Sequence, residues 1–230
     1  MIRLNDKKSY FCRNFKIMIK KLVTLGLFSI SIISFAQKFS IMPSVGFAWR
    51  TAALPKGITN EERNYIKGLK SGMNFDISAY YNVKNVGIGV KFSNYSASSD
   101  GRITVMDQNG NTVTGNVSTK DNITFVGPAL MYSNYNEETK HKLLMDLGIG
   151  TITYKTVTGP VTGKGTNLGL EANFAYQYAV TKNVLIGPKL GFTAGTLSKM
   201  TFNGQTIHFG EDQKEGLHRV SLNAAATFRF

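Results

Sequence analysis

The sequence predicts an all-β protein: a closed, eight-stranded, antiparallel up-and-down transmembrane β-barrel (residues 37–230) that follows a cleaved N-terminal signal peptide (residues 1–36). Three observations predict this fold class. Apolar and polar residues alternate from Gln37 onwards, short and long connections alternate between the predicted strands, and a short apolar stretch follows two lysines near the N-terminus. An alternation with a period of two places successive side chains on opposite faces of a strand.

The signal peptide is predicted from the apolar segment Leu22–Ala36, which follows Lys20-Lys21. A basic start, a short apolar stretch and a small–any–small ending are typical of a secretory signal, and here the ending is Ser34-Phe35-Ala36. The expected cleavage therefore lies between Ala36 and Gln37. A membrane-spanning helix needs about 20 apolar residues, which is longer than this stretch. The long basic segment ahead of it suggests that translation starts at Met18.

The charge of the chain does not predict a nucleic-acid partner. The formal net charge is +13, and residues 1–36 hold seven Lys and Arg residues against one Asp, a net of +6. The expected mature chain therefore carries +7, and it contains no run of Lys and Arg that could follow a phosphate backbone. The mean hydropathy of −0.11 is compatible with a membrane barrel, because only every second strand residue faces lipid.

Eight segments show the strand alternation, with no long helical stretch between them. They are Ile41–Trp49, Met73–Ala79, Val86–Phe92, 122–133, Leu143–Ile149, 167–179, 184–196 and Leu217–Phe230. Segment 122–133 is the least regular. Its apolar residues Val126, Leu130 and Tyr132 share one face. Phe125 and Met131 are apolar as well, but they belong to the opposite face.

The connections between these segments alternate in length. Short turns are predicted at 83–85, 136–139 and 181–183, and longer connections at 51–70, 97–119, 156–165 and 200–216. Short turns at one end and long loops at the other are typical of outer-membrane barrels. Asn109-Gly110 and Asn203-Gly204 predict hairpin turns within two of the long loops. Thr59–Glu62 predicts a capping box and a short helix in the first loop, and Gly163–Gly165 predicts a flexible third loop.

Aromatic residues are expected to form a girdle at each membrane interface, where rings with a polar edge are favoured. The predicted girdle at the short-turn end consists of Tyr80, Tyr81, Tyr132, Tyr135, Tyr176, Tyr178 and Phe230. The predicted girdle towards the long loops consists of Trp49, Tyr95 and Tyr154.

Whether the apolar face points outward or inward decides between a membrane barrel and a soluble one. In a soluble lipocalin-like barrel apolar and polar residues alternate as well, but the apolar face lies inside. The signal peptide, the unequal connections, the girdles and the terminal aromatic residue favour the membrane arrangement. The polar face then lines the interior with charged side chains, which are Asp76, Lys91, Asp146, Glu171, Lys189, Arg219 and Arg229. An eight-stranded barrel is barely wide enough for its own side chains, so these charges are expected to pair as a structural plug. An ion-conducting lumen is the alternative.

Four features carry a resemblance to known families: the leader KKLVTLGLFSISIISFAQ, the eight alternating segments, the motifs VGPALMY and IGPKLGF, and the closing SLNAAATFRF. The chain resembles the small outer-membrane β-barrels, both the OmpA- and OmpX-like barrels and especially the PorT-like or porin-family barrels. The resemblance covers nearly all of residues 37–230 and implies a location in the outer membrane of a Gram-negative bacterium. It also implies that Phe228 and Phe230 form the C-terminal signal that barrel-assembly machinery recognises.

The residues show no pattern that predicts catalysis. His141, His208 and His218 are scattered over a short turn, a loop and the start of the last strand. His218 and Ser221 are three residues apart, so they lie on opposite faces of a strand and cannot form the pair that nucleophilic catalysis needs. Enzymatic activity, a metal site and a cofactor are therefore not expected.

The expected function is a non-enzymatic structural or interaction role for a monomer in the cell outer membrane, with the outward loops as the contact surface. Outer-membrane lipid or lipopolysaccharide is an expected partner, because the net charge of +7 is attracted to anionic lipid, and the barrel-assembly machinery is a partner during biogenesis. An extracellular or secretion-system protein partner is left open. The alternatives are a narrow porin-like channel, an accessory component of a secretion system and a lipid-modifying enzyme.

Overall fold

The computed structural model describes residues 38–52, 54, 57–106, 112–210 and 214–230. The predicted cleavage site at Ala36 and Gln37 lies outside these residues, so the signal peptide stays a prediction. The elements in chain order are β1 (Phe39–Arg50), α1 (Asn60–Lys70), β2 (Ser71–Val83), β3 (Val86–Met106), β4 (Thr112–Ser133), β5 (His141–Thr158), β6 (Val161–Ala179), β7 (Val184–Leu197), β8 (Lys199–Phe202), β9 (Gln205–His208), β10 (Glu215–Gly216) and β11 (Arg219–Arg229). In the described part of the chain, no helix is long and apolar enough to cross a membrane.

Strands β1 to β7 and β11 form one closed antiparallel ring. Each of β1 to β7 pairs with its neighbour in the chain, and β11 pairs with both β7 and β1. The two ends of the ring meet where Phe230 N donates to Phe39 O at 2.8 Å and Phe39 N donates to Phe230 O at 3.1 Å. A closed sheet leaves no unpaired backbone edge in lipid. The predicted eight-stranded up-and-down barrel is confirmed.

The large apolar side chains point away from the barrel axis. On β1, Phe47 is 56% exposed and the next residue, Ala48, is fully buried. The same outward set recurs around the barrel, for example Phe75, Ile77, Ile88, Val90, Leu130, Leu147, Leu168, Leu190 and Leu222. A lipocalin-like barrel would bury this set inside, so that alternative is wrong. The exterior is an apolar belt suited to hydrocarbon.

Strand β4 has apolar residues on both of its faces in segment 122–133, and its register does not change there. Phe125 and Met131 point into the barrel and are buried, whereas Leu130 is 59% exposed on the outside. The β3–β4 ladder is continuous from Val86↔Tyr132 to Met106↔Thr112. Both apolar sets coexist because the interior holds apolar clusters of its own.

The short and long connections lie at opposite ends, as predicted, except at the third long loop. There β5 and β6 stay paired up to Thr158↔Val161 and meet at a tight turn in which Gly159 has φ +54°. Segment Gly163–Gly165 is therefore strand and the predicted flexible loop is wrong. The glycines are needed because β8 packs across them, and a Cβ on Gly163 would lie 2.6 Å from the Phe202 ring.

The first long loop contains helix α1, and the predicted capping box is present. Thr59 N donates to Glu62 Oε2 at 2.8 Å, and Glu62 N donates to Thr59 Oγ1 at 3.2 Å. The helix lies against the β3–β4 hairpin, where Tyr95 Oη donates to Leu69 O at 2.8 Å. These contacts place α1 at the long-loop mouth of the barrel.

One of the two predicted Asn-Gly hairpins can be described. Asn203 and Gly204 join β8 to β9 with φ values of +45° and +90°, which is the left-handed backbone that a type I′ turn requires. Asn109-Gly110 lies outside the described residues, although β3 and β4 remain paired up to Met106↔Thr112. The β3–β4 hairpin therefore rises well beyond the apolar belt.

The aromatic girdles are thinner than predicted. Tyr81, Tyr132, Tyr176 and Tyr178 point outward at the short-turn end, and Trp49 does so towards the long loops. The other tyrosines assigned to the girdles are buried inside the barrel, namely Tyr80, Tyr95, Tyr135 and Tyr154. On β2, β3 and β5 the buried tyrosines have the parity of the polar face, so the strand period itself turns them inward.

Candidate functional site

All seven charged residues predicted to line the interior lie inside the barrel and are at most 5% exposed. Six of them are paired in the lumen and are together called the charged layer. Lys91, Asp146, Glu171 and Arg219 form one contact network, and Asp76 and Lys189 form a separate ion pair. The layer contains three carboxylates and three cationic groups. Its formal charge is therefore zero.

Lys91 on β3 connects two of the carboxylates. Its Nζ forms an ion pair with Asp146 Oδ1 and lies 3.4 Å from Glu171 Oε1. Asn173 Nδ2 donates to Asp146 Oδ1 at 3.2 Å, which supplies a further hydrogen bond to that carboxylate. Breaking a buried pair by removing one partner typically costs about 3–5 kcal/mol, so each of these groups depends on the others.

Glu171 on β6 is the carboxylate with the most partners. Its Oε2 accepts hydrogen bonds from Ser93 Oγ and, at 3.0 Å, from Thr193 Oγ1, and it lies 3.5 Å from Arg219 NH2. Arg219 also donates to Ser93 Oγ at 2.7 Å and to Ile123 O at 3.1 Å. One serine therefore links the guanidinium to the carboxylate.

Asp76 and Lys189 form the second half of the charged layer. Lys189 Nζ contacts Asp76 Oδ1 as an ion pair. Ser44 Oγ donates to Asp76 Oδ2 at 2.6 Å, and Asn223 Nδ2 donates to the same oxygen at 3.3 Å. The Asp76 carboxylate is thus held from β1, β7 and β11 at once.

Arg229 does not join the charged layer, contrary to the prediction. Its NH1 donates to Tyr135 O at 3.1 Å, and its guanidinium lies 5.0 Å from the centre of the Tyr135 ring. The physical reason is distance, because Arg229 follows Arg219 by ten residues on one strand, or about 33 Å. Arg229 therefore lies at the short-turn mouth of the barrel.

A second charged cluster at the long-loop end was not predicted. Arg50 forms ion pairs with Glu215 and, at 3.6 Å, with Asp121, and Tyr154 Oη donates to Asp121 at 2.9 Å. Arg50 has the parity of the buried residues of β1, and Asp121 has that of the buried residues of β4. This parity could have predicted that both side chains point inward. The predicted strands, however, stopped at Trp49 and began at residue 122, one residue short of Arg50 and Asp121.

Two apolar clusters occupy the interior above and below the charged layer. The loop-end cluster consists of Ala48, Tyr95, Ala97, Ile123, Phe125, Ile152, Tyr154, Leu197, Met200 and Leu217. The turn-end cluster consists of Met42, Tyr80, Ala129, Met131, Tyr135, Leu144, Ala175, Leu185 and Ala225. Arg219, the first residue of β11, lies in the chain between Leu217 of the first cluster and Ala225 of the second. The interior is therefore layered as apolar, charged and apolar.

The terminal aromatic residues of the predicted assembly signal lie at the seam of the barrel. Phe228 points outward and is 39% exposed, and Phe230 makes the backbone pair with Phe39 described above. The three histidines lie on different elements, with His141 at the start of β5, His208 at the end of β9 and His218 just before β11. His141 Nδ1 lies 2.6 Å from Tyr176 Oη on the outer surface, and His208 is the cross-strand partner of Lys199. Among the residues that the structure describes, no group of three His, Cys, Asp or Glu side chains could hold a metal ion.

No protein-family model and no curated protein sequence matches the chain. Similar solved structures are small bacterial outer-membrane proteins. Neisserial surface protein A is 15% identical, with a TM-score of 0.53 over 84% of this chain and 97% of that chain. OprG from Pseudomonas aeruginosa is 11% identical (TM-score 0.49, 85% and 98% covered), and a major outer membrane protein from Thermus thermophilus is 14% identical (TM-score 0.49, 84% and 98% covered).

These identities are too low to show more than a common fold. The fold is that of the small, eight-stranded outer-membrane barrels, which agrees with the OmpA- and OmpX-like resemblance of the sequence. The apolar belt is the surface that such a barrel turns to hydrocarbon. The protein is therefore located in the outer membrane.

Proposed function

We propose that the protein is a non-enzymatic, structural barrel of the outer membrane whose lumen is closed to ions and whose extracellular elements form a contact surface. The observation that carries this proposal is the layered interior. Its central charges are paired among themselves, and its apolar clusters lie on both sides of them.

An ion that crossed the lumen would have to separate the pairs of the charged layer and pass two apolar clusters. Removing one partner of a buried pair costs about 3–5 kcal/mol, and the interior of an eight-stranded barrel has little room beyond its side chains. The arrangement therefore favours a plugged barrel over a narrow channel.

The contact surface would be formed by α1, the upper β3–β4 hairpin and the β8–β9 hairpin. These elements extend the barrel beyond the apolar belt on the side of the long loops. Most of their outward side chains are polar, which suits a wet, transient protein contact better than an obligate apolar interface.

Recordings from planar lipid bilayers test the closed lumen. The protein is expected to give no reproducible unitary conductance. A variant with Phe125→Ala, Ile152→Ala, Met42→Ala and Met131→Ala, which truncates two large side chains in each apolar cluster, together with Lys91→Ala and Lys189→Ala, which break pairs of the charged layer, is expected to conduct. Unitary conductance of the unchanged protein that disappears when Lys91 or Lys189 is neutralised would establish the narrow channel instead.

A secretion-linked accessory role is the second candidate. It is supported by the motifs VGPALMY, IGPKLGF and SLNAAATFRF, on which the sequence resembles the PorT-like barrels. Deletion of the gene is expected to reduce secretion of the cognate cargo if this role is correct, and unchanged secretion would contradict it. Lipid modification is the least favoured function, and altered lipid A masses on overexpression would be needed to support it.

A further inference from the structure

Three exposed lysines lie together on the outer surface, beyond the apolar belt. Lys155 on β5 is the direct cross-strand partner of Lys164 on β6, and Lys164 is the partner of Thr201 on β8. Lys199 lies two residues before Thr201 on the same face of β8, diagonal to Lys164. Direct partners have Cβ atoms about 5 Å apart, and diagonal partners about 7–8 Å.

This arrangement concentrates positive charge on strands that present no carboxylate on their outer face. Like charges directly opposite each other in a sheet are destabilising. Strands β5, β6, β8 and β9, which the structure describes in full, contain two acidic residues, Asp146 and Glu171, and both are buried inside the barrel in the charged layer. The lysine cluster is therefore suited to an anionic ligand that would offset its repulsion.

A cavity of about 600 Å³ adjoins this cluster between β6 and the β8–β9 hairpin. Lys164 and Lys199 line it together with hydroxyl and amide side chains, which are Thr162, Thr166, Thr201, Thr206 and Asn203. Ammonium groups attract phosphate oxygens, and hydroxyl and amide groups can hydrogen-bond both phosphate and sugar. The polar groups can therefore bind the phosphate of a phosphorylated sugar, while Met200, Gly165 and Gly204 complete the lining.

The height of the cluster matches the headgroup layer of the outer leaflet. Leu168 on β6 is 64% exposed and belongs to the apolar belt, and Lys164 precedes it by four residues on the same strand, towards the long loops. Four strand residues span about 13 Å, or about 10 Å along the membrane normal for a tilt of about 40°. A lysine side chain at that height reaches back to the level of lipid phosphates.

We infer that Lys155, Lys164 and Lys199, with the adjoining hydroxyl-lined cavity, bind the phosphate groups of a phosphorylated glycolipid in the outer leaflet. The inference rests on the outer-membrane location and on the proposed extracellular position of the β8–β9 hairpin, and it does not depend on whether the lumen conducts. A basic barrel is attracted to anionic lipid in general, and the inference assigns this attraction to a defined site.

Binding of diphosphoryl lipid A to the full barrel in detergent, measured by native mass spectrometry, tests the site. The variant Lys155→Gln, Lys164→Gln, Lys199→Gln is expected to bind at least tenfold more weakly. The matched variant Lys84→Gln, Lys140→Gln, Lys182→Gln removes three exposed lysines from the short-turn end and is expected to change binding less than twofold. The unchanged protein is expected to bind dephosphorylated lipid A at least tenfold more weakly than the diphosphoryl form.

Three outcomes would overturn the inference. Equal weakening by the two triple variants would reduce the effect to net charge, and equal affinity for dephosphorylated lipid A would remove the role of phosphate. Inorganic triphosphate serves as the soluble arm: competition at the concentration at which lipid A binds would mean that the site does not select a lipid. Heat-modifiable migration on gels shows that each variant is folded. Bilayer recordings of the same variants measure ion conductance independently, so a loss of lipid A binding can be told apart from an opening of the lumen.

Discussion

Glu171 and Arg219 lie 3.5 Å apart in the centre of the barrel although 48 residues separate them in the chain. The Glu171 carboxylate also lies 3.4 Å from Lys91, so it serves two cationic groups. Glu171 is therefore the carboxylate of the charged layer that is paired with two cationic groups at once.

Replacing Glu171 with Gln is expected to destabilise the barrel by about 3–5 kcal/mol, because Lys91 and Arg219 would then share a layer with a formal charge of +1. The free energy of unfolding can be measured by urea titration in lipid vesicles, with the fluorescence of Trp49 as the signal. Glu138→Gln, in the exposed β4–β5 turn, is the matched control and is expected to change stability by at most about 0.5 kcal/mol. Equal effects of the two substitutions would contradict the proposed importance of the layer.

Asp76 and Lys189 are expected to be energetically coupled. Asp76→Asn and Lys189→Met should each destabilise the barrel, and the double variant should be less destabilised than the sum by about 1–3 kcal/mol, because neither charge is then left alone. The same unfolding titration measures the cycle. Asp100→Asn with Lys182→Met, at opposite ends of the barrel, should be additive. Additivity of the Asp76 and Lys189 substitutions would show that their contact carries no stability.

Thr59→Ala is expected to loosen helix α1 without opening the barrel, because it removes the hydroxyl that accepts from Glu62 N. Hydrogen exchange followed by mass spectrometry should show several-fold faster exchange of the amides in Asn60–Lys70 and unchanged exchange in β1. Thr59→Ser keeps the hydroxyl and should behave as the unchanged protein. Faster exchange throughout the barrel would contradict a local role for the cap.

The capping box also predicts a pH dependence of α1. The hydrogen bond from the Thr59 backbone amide, and then that from the Thr59 hydroxyl, lower the pKa of Glu62 below its ordinary value. A lowered pKa in the folded state means that the stabilisation is fully present above the ordinary glutamate pKa of about 4.3 and is lost as the pH falls through the folded value. After correction for the intrinsic rate, exchange in α1 should therefore be constant near neutrality and accelerate below about pH 4. Glu62→Gln should abolish that acceleration.

The strand period predicted most of the fold and the lining of the lumen. It placed Asp76, Lys91 and Glu171 on the inner face, because two-residue alternation is a property of a single strand and can be recognised in the sequence alone. Which acid meets which base could not be predicted, since the partners are fixed by the register between strands far apart in the chain.

The errors arose where two structural signals competed. Tyr95 and Tyr154 were assigned to a girdle on their residue type, but their parity directs them into the loop-end cluster. Gly163–Gly165 suggested a loop by composition, whereas the strand continues because β8 needs the space that a side chain would fill. Arg50 and Asp121 were missed because strand ends are the least certain part of a periodic pattern.

The order in which the charged groups occur along the chain bears on how the protein enters its membrane. Asp76 meets Lys189 across 113 residues, and Ser93 meets Arg219 across 126 residues. Until β7 and β11 are in place, the three acids of the layer have Lys91 as their one cation, so the incomplete charged layer would hold an excess negative charge of two. Hydrocarbon penalises such an excess severely. Insertion of a truncated or stalled chain into the bilayer is therefore unfavourable. The final strand both closes the barrel and brings the cation that makes the charged layer neutral.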